Sequence, residues 1–314
     1  MKKLPLPLAG LMLALAATGN LLLSYGSIYR NLLGAMSGIV MVLLLVKILI
    51  MPKAIKEGFE NPVIASVMPT FPMGLILLST YIQPYASLAA YGLWLLGLAL
   101  HSLLIVFFTM KYIVNFNLKK VFPSYFIVYV GIVCASVTAP VFNAAQLGQY
   151  IFWFGLVSYL VLLPIVLYRT FIVKEMPEPA LPTLVIYTAP ASLCLAGYLN
   201  SFQNKSILMV GFLAVLSLLM FIFVIMNMPK LLKLKFYPSY SAFTFPFVIT
   251  AIAMKGTHVY LTKAGISIPF MGYFVNILEL WAVIIIAYVL IKYIIFMASS
   301  SETIKSTPAA KIYD

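Results

Sequence analysis

The sequence predicts an all-α integral membrane protein with ten transmembrane helices arranged as five helical hairpins. Three observations support this fold class. Of the 314 residues, 64% are hydrophobic and only 9% are charged, whereas soluble domains carry about 25% charged residues. The apolar residues form ten long stretches, and prolines recur between them at a nearly constant spacing.

Each of the ten stretches is long enough to cross a bilayer as a helix, which requires about 20 residues for a hydrocarbon core of about 30 Å. The stretches cover residues 4–24, 29–52, 63–82, 86–110, 123–139, 147–168, 183–199, 206–229, 238–262 and 271–297. We therefore expect one transmembrane domain over residues 1–298, followed by a polar cytoplasmic tail over residues 299–314.

The basic residues divide unevenly between the two sides of the membrane. Fourteen of the twenty fall on the side of the amino terminus, and only Arg30, Lys205 and Lys263 fall on the other side. The positive-inside rule then places both termini in the cytoplasm. The net charge of +13 is thereby explained by topology and does not require a nucleic-acid partner. The opening segment MKKLPLPLAGLMLALAATG also resembles a cleavable signal peptide, but the repeat described next needs it as the first helix.

A proline stands at the start of every odd-numbered stretch, with steps of 57, 61, 59 and 56 residues between successive ones. These prolines are Pro5, Pro62, Pro123, Pro182 and Pro238. A nearly constant period indicates one supersecondary unit copied along the chain. Here the unit is a hairpin that crosses the membrane outward and returns.

The two helices of each hairpin differ in composition. Odd stretches contain interior prolines and small residues, as in PTFPMG (69–74) and TAPASLCLAGY (188–198), whereas even stretches such as IVMVLLLVKILI (39–50) are rich in Leu, Ile, Val and Met. Interrupted helices need neighbouring helices or a cavity to satisfy their freed backbone groups. We therefore expect proline-kinked odd helices inside a ring of even helices, around a central pore. The alternative is that the prolines only shape tightly packed helices.

Side chains that could support enzyme chemistry are scarce. Of the acidic residues only Glu279 lies in a membrane stretch, and His101 and His258 lie on different helices without a cysteine or carboxylate at ligand spacing. Cys134 and Cys194 form no CxxC pair. We therefore predict no enzyme activity, no cofactor and no metal. The odd stretches hold no acidic residue, which favours a passive route over a proton-coupled one.

Four segments, spread in order over the chain, carry a family resemblance: LPLPLAGLMLALAATGN at the start, NPVIASVMPTFPMG in stretch three, LPTLVIYTAPASLCLAGY in stretch seven and SAFTFPFV in stretch nine. They resemble the tellurite-resistance/dicarboxylate transporter family, which includes bacterial tellurite-resistance protein A and plant slow anion channels. The resemblance implies a homotrimer with one pore in each subunit. It also implies transport of a small anion (dicarboxylate, chloride, nitrate, sulfite or tellurite) across the plasma membrane.

The resemblance further implies an aromatic gate on the ninth helix, just before a kink. The matching residue is Phe245, which precedes Pro246 in AFTFP. Phe71, in the second TFP of the chain, is expected to share the constriction, and Pro72 and Pro190 are expected to line or kink the pore. The competing interpretation of Phe245 is an ordinary core aromatic.

Lys255 and Glu279 are expected to form an ion pair. Both lie about 10–12 Å below the outer ends of adjacent helices at about 1.5 Å per residue, where an isolated charge costs about 2.5–3.5 kcal/mol on insertion scales. The alternative places Lys255 in the outer pore and Glu279 at a subunit contact.

Three functional interpretations are open at the level of sequence. The first is an anion channel or transporter with an aromatic gate. The second is a proton-coupled C4-dicarboxylate carrier, and the third is a membrane scaffold or enzyme that conducts no ions.

Overall fold

The structure is a computed structural model, which describes residues 1 and 3–299. These residues form helices joined by short turns, and no β-strand occurs among them. Apart from Ser299, the tail predicted for residues 299–314 lies outside the described residues. The α-helices, in chain order, are α1 (Leu8–Leu21), α2 (Ser27–Ile50), α3 (Pro52–Glu60), α4 (Pro62–Val67), α5 (Thr70–Ile82), α6 (Ser87–Phe108), α7 (Tyr125–Tyr129), α8 (Val133–Thr138), α9 (Ala145–Tyr168), α10 (Ala189–Ser201), α11 (Ile207–Leu231), α12 (Phe245–Lys263) and α13 (Met271–Ala298).

Nine helical stretches within the described part of the chain are long and apolar enough to cross a membrane. The all-α, multi-pass membrane class predicted from the sequence is therefore confirmed. The fifth predicted stretch, 123–139, differs from the others because it is divided into α7, α8 and a 3-10 turn at Ala139–Phe142, with a break over residues 130–132. A Cβ atom at Gly131 would lie 2.2 Å from the carbonyl oxygen of Ile127, so the chain is tightly folded at this break.

The odd and even stretches form two layers. In an apolar window of 18 residues within each stretch long enough to span a membrane, 72% to 94% of the residues are buried in the odd stretches, compared with 22% to 33% in the even stretches. Around the inner layer, α1 packs against α5, α5 against α8, α8 against α10, α10 against α12, and α12 against α1. Each of these inner segments also packs against the long helix that follows it in the chain. The inner layer is thus a closed ring.

The inner segments are interrupted where prolines occur. A 3-10 helix over Glu178–Thr188 precedes α10, and another over Pro238–Phe243 precedes α12. Pro190 and Pro246 stand in the first turns of α10 and α12. A proline costs little there, because the N–H groups of the first turn have no partner within the helix. The expected kink in the middle of a continuous ninth helix is therefore a junction between two helix types.

The outer helices stay continuous even where they contain proline. Pro164 lies inside α9 and Pro229 inside α11, and neither divides its helix. The even helices are therefore continuous, as expected. They are not regular throughout, because α6 and α9 each end in a π-helical turn, at Thr109–Ile113 and Arg169–Val173.

The two ends of the described chain lie on the same face. The ammonium group of Lys3 donates a hydrogen bond to the carbonyl oxygen of Ser299, just after α13. Lys47, near the end of α2 and only 5% exposed, donates to the carbonyl oxygens of Met1 and Leu4. All five inner segments therefore run away from this face, and the outer helices return to it.

Candidate functional site

The inner ring encloses a small cavity to which all five inner segments contribute. Examples of the lining residues are Leu13 from α1, Thr70 from α5, Val130 from the break before α8, Pro190 from α10 and Phe245 from α12. The cavity has a volume of about 40 Å³, whereas a single water requires about 10–15 Å³ by this measure. Only a few waters fit at the centre of the ring.

Phe245 lies at the junction between the two helix types of the ninth stretch. It is the first residue of α12, directly after Thr244, which separates α12 from the 3-10 helix Pro238–Phe243. The residue is 7% exposed, and both Phe245 and Pro246 line the central cavity. The sequence-predicted gate residue therefore lies in the wall of the central cavity, next to a change in backbone geometry.

The cavity wall is almost entirely apolar. Only Thr70 and Ser241 among the lining residues have polar side chains. The hydroxyl group of Thr70 is already used, since it donates to the carbonyl oxygen of Val67 at 2.7 Å. An ion in this cavity would find few groups to replace its hydration water.

The positive ends of several helices lie at the cavity. Helices α5, α10 and α12 begin at Thr70, Ala189 and Phe245, and all three residues line it. A helix carries about half a positive charge at its amino-terminal end. These starts lie at the centre of the ring because the first part of each segment is a separate helix: α4 before α5, and the 3-10 helices Glu178–Thr188 before α10 and Pro238–Phe243 before α12.

The carbonyl groups near the prolines have partners. The carbonyl oxygen of Ile186, four residues before Pro190, accepts a hydrogen bond from the backbone N–H of Ala189. The carbonyl oxygen of Ser241 accepts from the N–H of Thr244 at 3.2 Å and from its hydroxyl group at 2.6 Å. The acceptor that Pro190 would free thus has a partner, and the turn before Pro246 uses the carbonyl oxygen of Ser241 in its own hydrogen bonds.

Phe71 and Pro72 are not among the residues that line this cavity. Phe71 is half-buried, and Pro72 is buried with its carbonyl oxygen 3.0 Å from the Cβ position of Gly97 on α6. Their neighbours Thr70 and Met73 line the cavity instead. The structure therefore brings Pro190, Phe245 and Pro246 together, as expected, but not Phe71 or Pro72.

Lys255 and Glu279 are in contact. The Nζ atom of Lys255 lies 2.8 Å from Oε1 of Glu279. The Glu279 side chain is only 4% exposed and that of Lys255 is 31% exposed. The pair joins α12 of the inner ring to the outer helix α13.

The same ion pair also involves the turn after α1. Lys255 donates to the hydroxyl group of Ser24 at 2.7 Å and to the carbonyl oxygen of Leu21 at 3.3 Å. The hydroxyl group of Tyr25 donates to Oε2 of Glu279 at 2.6 Å. Sequence reasoning missed Ser24 and Tyr25, because no spacing within the chain indicates that this turn reaches α12 and α13.

His101 supports the broken inner segment from outside the ring. It is fully buried on α6, and its Nε2 atom lies 2.9 Å from the carbonyl oxygen of Val128, just before the break. A Cβ atom added to Gly131 would lie 3.1 Å from the imidazole ring of His101. Within residues 1 and 3–299, no group of three or more His, Cys, Asp or Glu residues is placed to hold a metal ion.

Comparison with known families gives one result for nearly the whole chain. A family model described as a voltage-dependent anion channel matches residues 4–294. The match extends from before α1 to near the end of α13 and includes every segment that lines the cavity. No curated protein matches the chain.

Proposed function

Because the chain belongs to the voltage-dependent anion channel family, which confirms the resemblance noted in its sequence, we propose that it is a passive channel for small anions. The family as a whole consists of anion channels and transporters. In this proposal each subunit contains its own pore, and Phe245 is the gate.

The pore in this proposal is the space inside the inner ring. Ten helices form five hairpins, and the divided stretch 123–139 serves as the fifth inner segment. The observation that supports this arrangement is the central cavity, because residues from all five inner segments line it. In this proposal the aromatic side chain of Phe71 also narrows the path, beside the cavity and not in its wall.

The gate acts by excluding water. An apolar constriction blocks ions because they cannot keep their hydration shell inside it, and the wall around Phe245 supplies only two hydroxyl groups. The junction at Thr244 lets the backbone before Phe245 rotate without breaking a continuous helix. Movement of one ring would therefore widen the narrowest point.

The preference for anions is supported by two features. The positive ends of α5, α10 and α12 face the cavity, which stabilises negative charge there. None of the lining residues is acidic or a histidine, so the cavity has no group of the kind that relays protons in coupled carriers. We propose passive flow for this reason, with the proton-coupled dicarboxylate carrier as the alternative outcome of the test.

Assembly and location follow the family resemblance and the charge distribution. We propose a homotrimer in the plasma membrane, with contacts through the exposed outer helices and a pore in each subunit. Cyclic assemblies close in this way when one surface repeats around an axis. The excess of basic residues on the side of the termini supports a cytoplasmic location for both ends.

The decisive experiment measures anion flux into proteoliposomes for the wild type and for Phe245→Ala. We expect the substitution to raise flux by about tenfold or more, which corresponds to a barrier lower by about 1.4 kcal/mol. Competing anions in the same assay identify the substrate. Currents that reverse at the anion equilibrium potential indicate a channel, whereas saturable flux driven by a proton gradient indicates the carrier.

Phe247→Ala is a matched control on the same helix. Phe247 is 1% exposed, but its ring packs against Trp281 of α13 at 5.8 Å and Phe221 of α11 at 6.1 Å between ring centres. Truncating such a buried ring costs about 3–5 kcal/mol of stability without opening the cavity. Equal flux from Phe245→Ala and wild type, at equal amounts of folded protein, would contradict the gate.

A further inference from the structure

A second concavity opens on the surface between α11 and α12, toward the face opposite the termini. Its volume is about 460 Å³, far larger than that of the central cavity. Helix α11 contributes Val210, Ala214 and Leu218, and α12 contributes Met254 and Leu261. We call this concavity the α11–α12 groove.

The α11–α12 groove is suited to hydrocarbon. Thr257 is the only lining residue with a polar side chain, and its hydroxyl group donates to the carbonyl oxygen of Ala253 at 2.8 Å. No lining side chain therefore needs a polar partner, and a polar ligand would lose its hydration without compensation.

Aromatic residues lie at the end of the groove farthest from the face of the termini. Phe270 and Phe274 both line it. Phe270 is 80% exposed and has a φ angle of +62°, a backbone conformation that is rare for a bulky residue. Its exposed ring adds apolar surface at this end of the groove.

Two lysines lie at the same end of the groove. Lys205 precedes α11 by two positions, and Lys263 is the last residue of α12. The hydroxyl group of Tyr260 donates to the carbonyl oxygen of Lys205 at 3.1 Å, which holds the two chain segments together. Among residues 1 and 3–299, neither lysine forms an ion pair with a carboxylate.

We propose that the α11–α12 groove binds an acidic phospholipid from the leaflet opposite the termini. One acyl chain lies in the groove, and the phosphate group lies between Lys205 and Lys263. Lysines attract the phosphate groups of anionic lipids, and an acyl chain fits between two helices. The floor of the groove is α12, so the lipid contacts the helix that begins at Phe245.

A second copy of the chain fits the groove less well. A helix is about 10–12 Å in diameter with its side chains, which is much thicker than a single acyl chain. A neighbouring subunit would also have to leave Lys205 and Lys263 without an anionic partner or supply a carboxylate from a chain that has only seven acidic residues.

The test uses native mass spectrometry of the full chain after equilibration with vesicles of phosphatidylglycerol or of phosphatidylcholine. Gly211→Phe fills the groove, since nothing lies within 4 Å of a Cβ atom at this position on α11. Gly92→Phe on α6 is the matched control, because its Cβ position is equally open but lies outside the groove. Ala214→Phe provides a second filled variant if Gly211→Phe does not fold.

We expect the wild type and Gly92→Phe to retain phosphatidylglycerol in preference to phosphatidylcholine, and the filled variants to retain neither at this site. Lys205→Met and Lys263→Met should each weaken phosphatidylglycerol retention by about fivefold without affecting phosphatidylcholine. Equal retention of both lipids by the wild type would overturn the proposal. So would filled variants that keep the lipid, or filled variants that change only the number of subunits, which would assign the groove to a second copy.

Discussion

Prolines have different effects on helix continuity in the inner ring and in the outer helices. Pro190 and Pro246 in the inner ring stand where a 3-10 helix changes to an α-helix, whereas Pro164 and Pro229 in the outer layer leave α9 and α11 continuous. Backbone groups that lose a partner in a membrane must find another one within the protein. Interruptions are therefore concentrated in segments covered by protein, and the helices facing lipid remain regular.

The same contrast applies to charge. The membrane-embedded ion pair lies where α12 of the inner ring meets α13 of the outer layer, and the exposed surfaces of the outer helices are dominated by apolar side chains such as Leu208, Met226 and Ile277. This ion pair ties the two layers together, and hydroxyl groups such as those of Ser192 on α10 and Thr250 on α12, 3.0 Å apart, also link neighbouring inner segments.

Removing one partner of the ion pair is expected to have the largest effect on stability. Lys255→Met leaves Glu279 buried without a positive partner, which costs about 3–5 kcal/mol, with the lower value favoured because Lys255 is partly exposed. Thermal unfolding in detergent measures the loss. The double variant Lys255→Met/Glu279→Gln should recover part of it, since no charge stays buried, and simple additivity of the two substitutions would contradict a direct interaction.

The next largest effects on stability are expected for glycines, and they differ between the two layers. Gly131→Ala in the inner ring should destabilise the protein by about 1–3 kcal/mol, because the added methyl group meets the carbonyl oxygen of Ile127 at 2.2 Å. Gly92→Ala on the outer helix α6 meets no atom within 4 Å and should stabilise its helix by up to about 1 kcal/mol. Changes of the same sign at both positions would remove the distinction between the layers.

The smallest effect is expected for the proline at the junction in the inner ring. Pro246→Ala should change the free energy of unfolding by less than about 1 kcal/mol, since a first-turn proline interrupts no hydrogen bond. Pro164→Ala should stabilise α9 by more than this, because it restores a donor inside a continuous helix. Unfolding of the two variants under identical detergent conditions checks the order. A larger change at Pro246 would mean that the junction itself is held by the proline ring.

Much of the candidate site could be anticipated because it depends on local chemistry. Pro246 and Phe245 are adjacent in the chain, and the family resemblance assigned their region to a gate before any contact was known. Lys255 and Glu279 have similar depths on consecutive helices, and this similarity was sufficient to predict their ion pair. Phe71 does not line the cavity, although its neighbours Thr70 and Met73 do; which of these side chains faces the cavity depends on the rotation of α5 about its axis, and local sequence does not set that rotation.

The sequence by itself determined the membrane class, the number of apolar stretches, the alternation between two kinds of helix and the family, because length, hydropathy, period and motifs are properties of the chain in order. Only the tertiary structure decided that stretch 123–139 is divided, that three helix starts meet at a 40 Å³ cavity, and that Ser24 and Tyr25 join the ion pair. These features depend on contacts between residues far apart in sequence. Such contacts form only when five separate segments close into one ring, and no local pattern records the angles at which they meet.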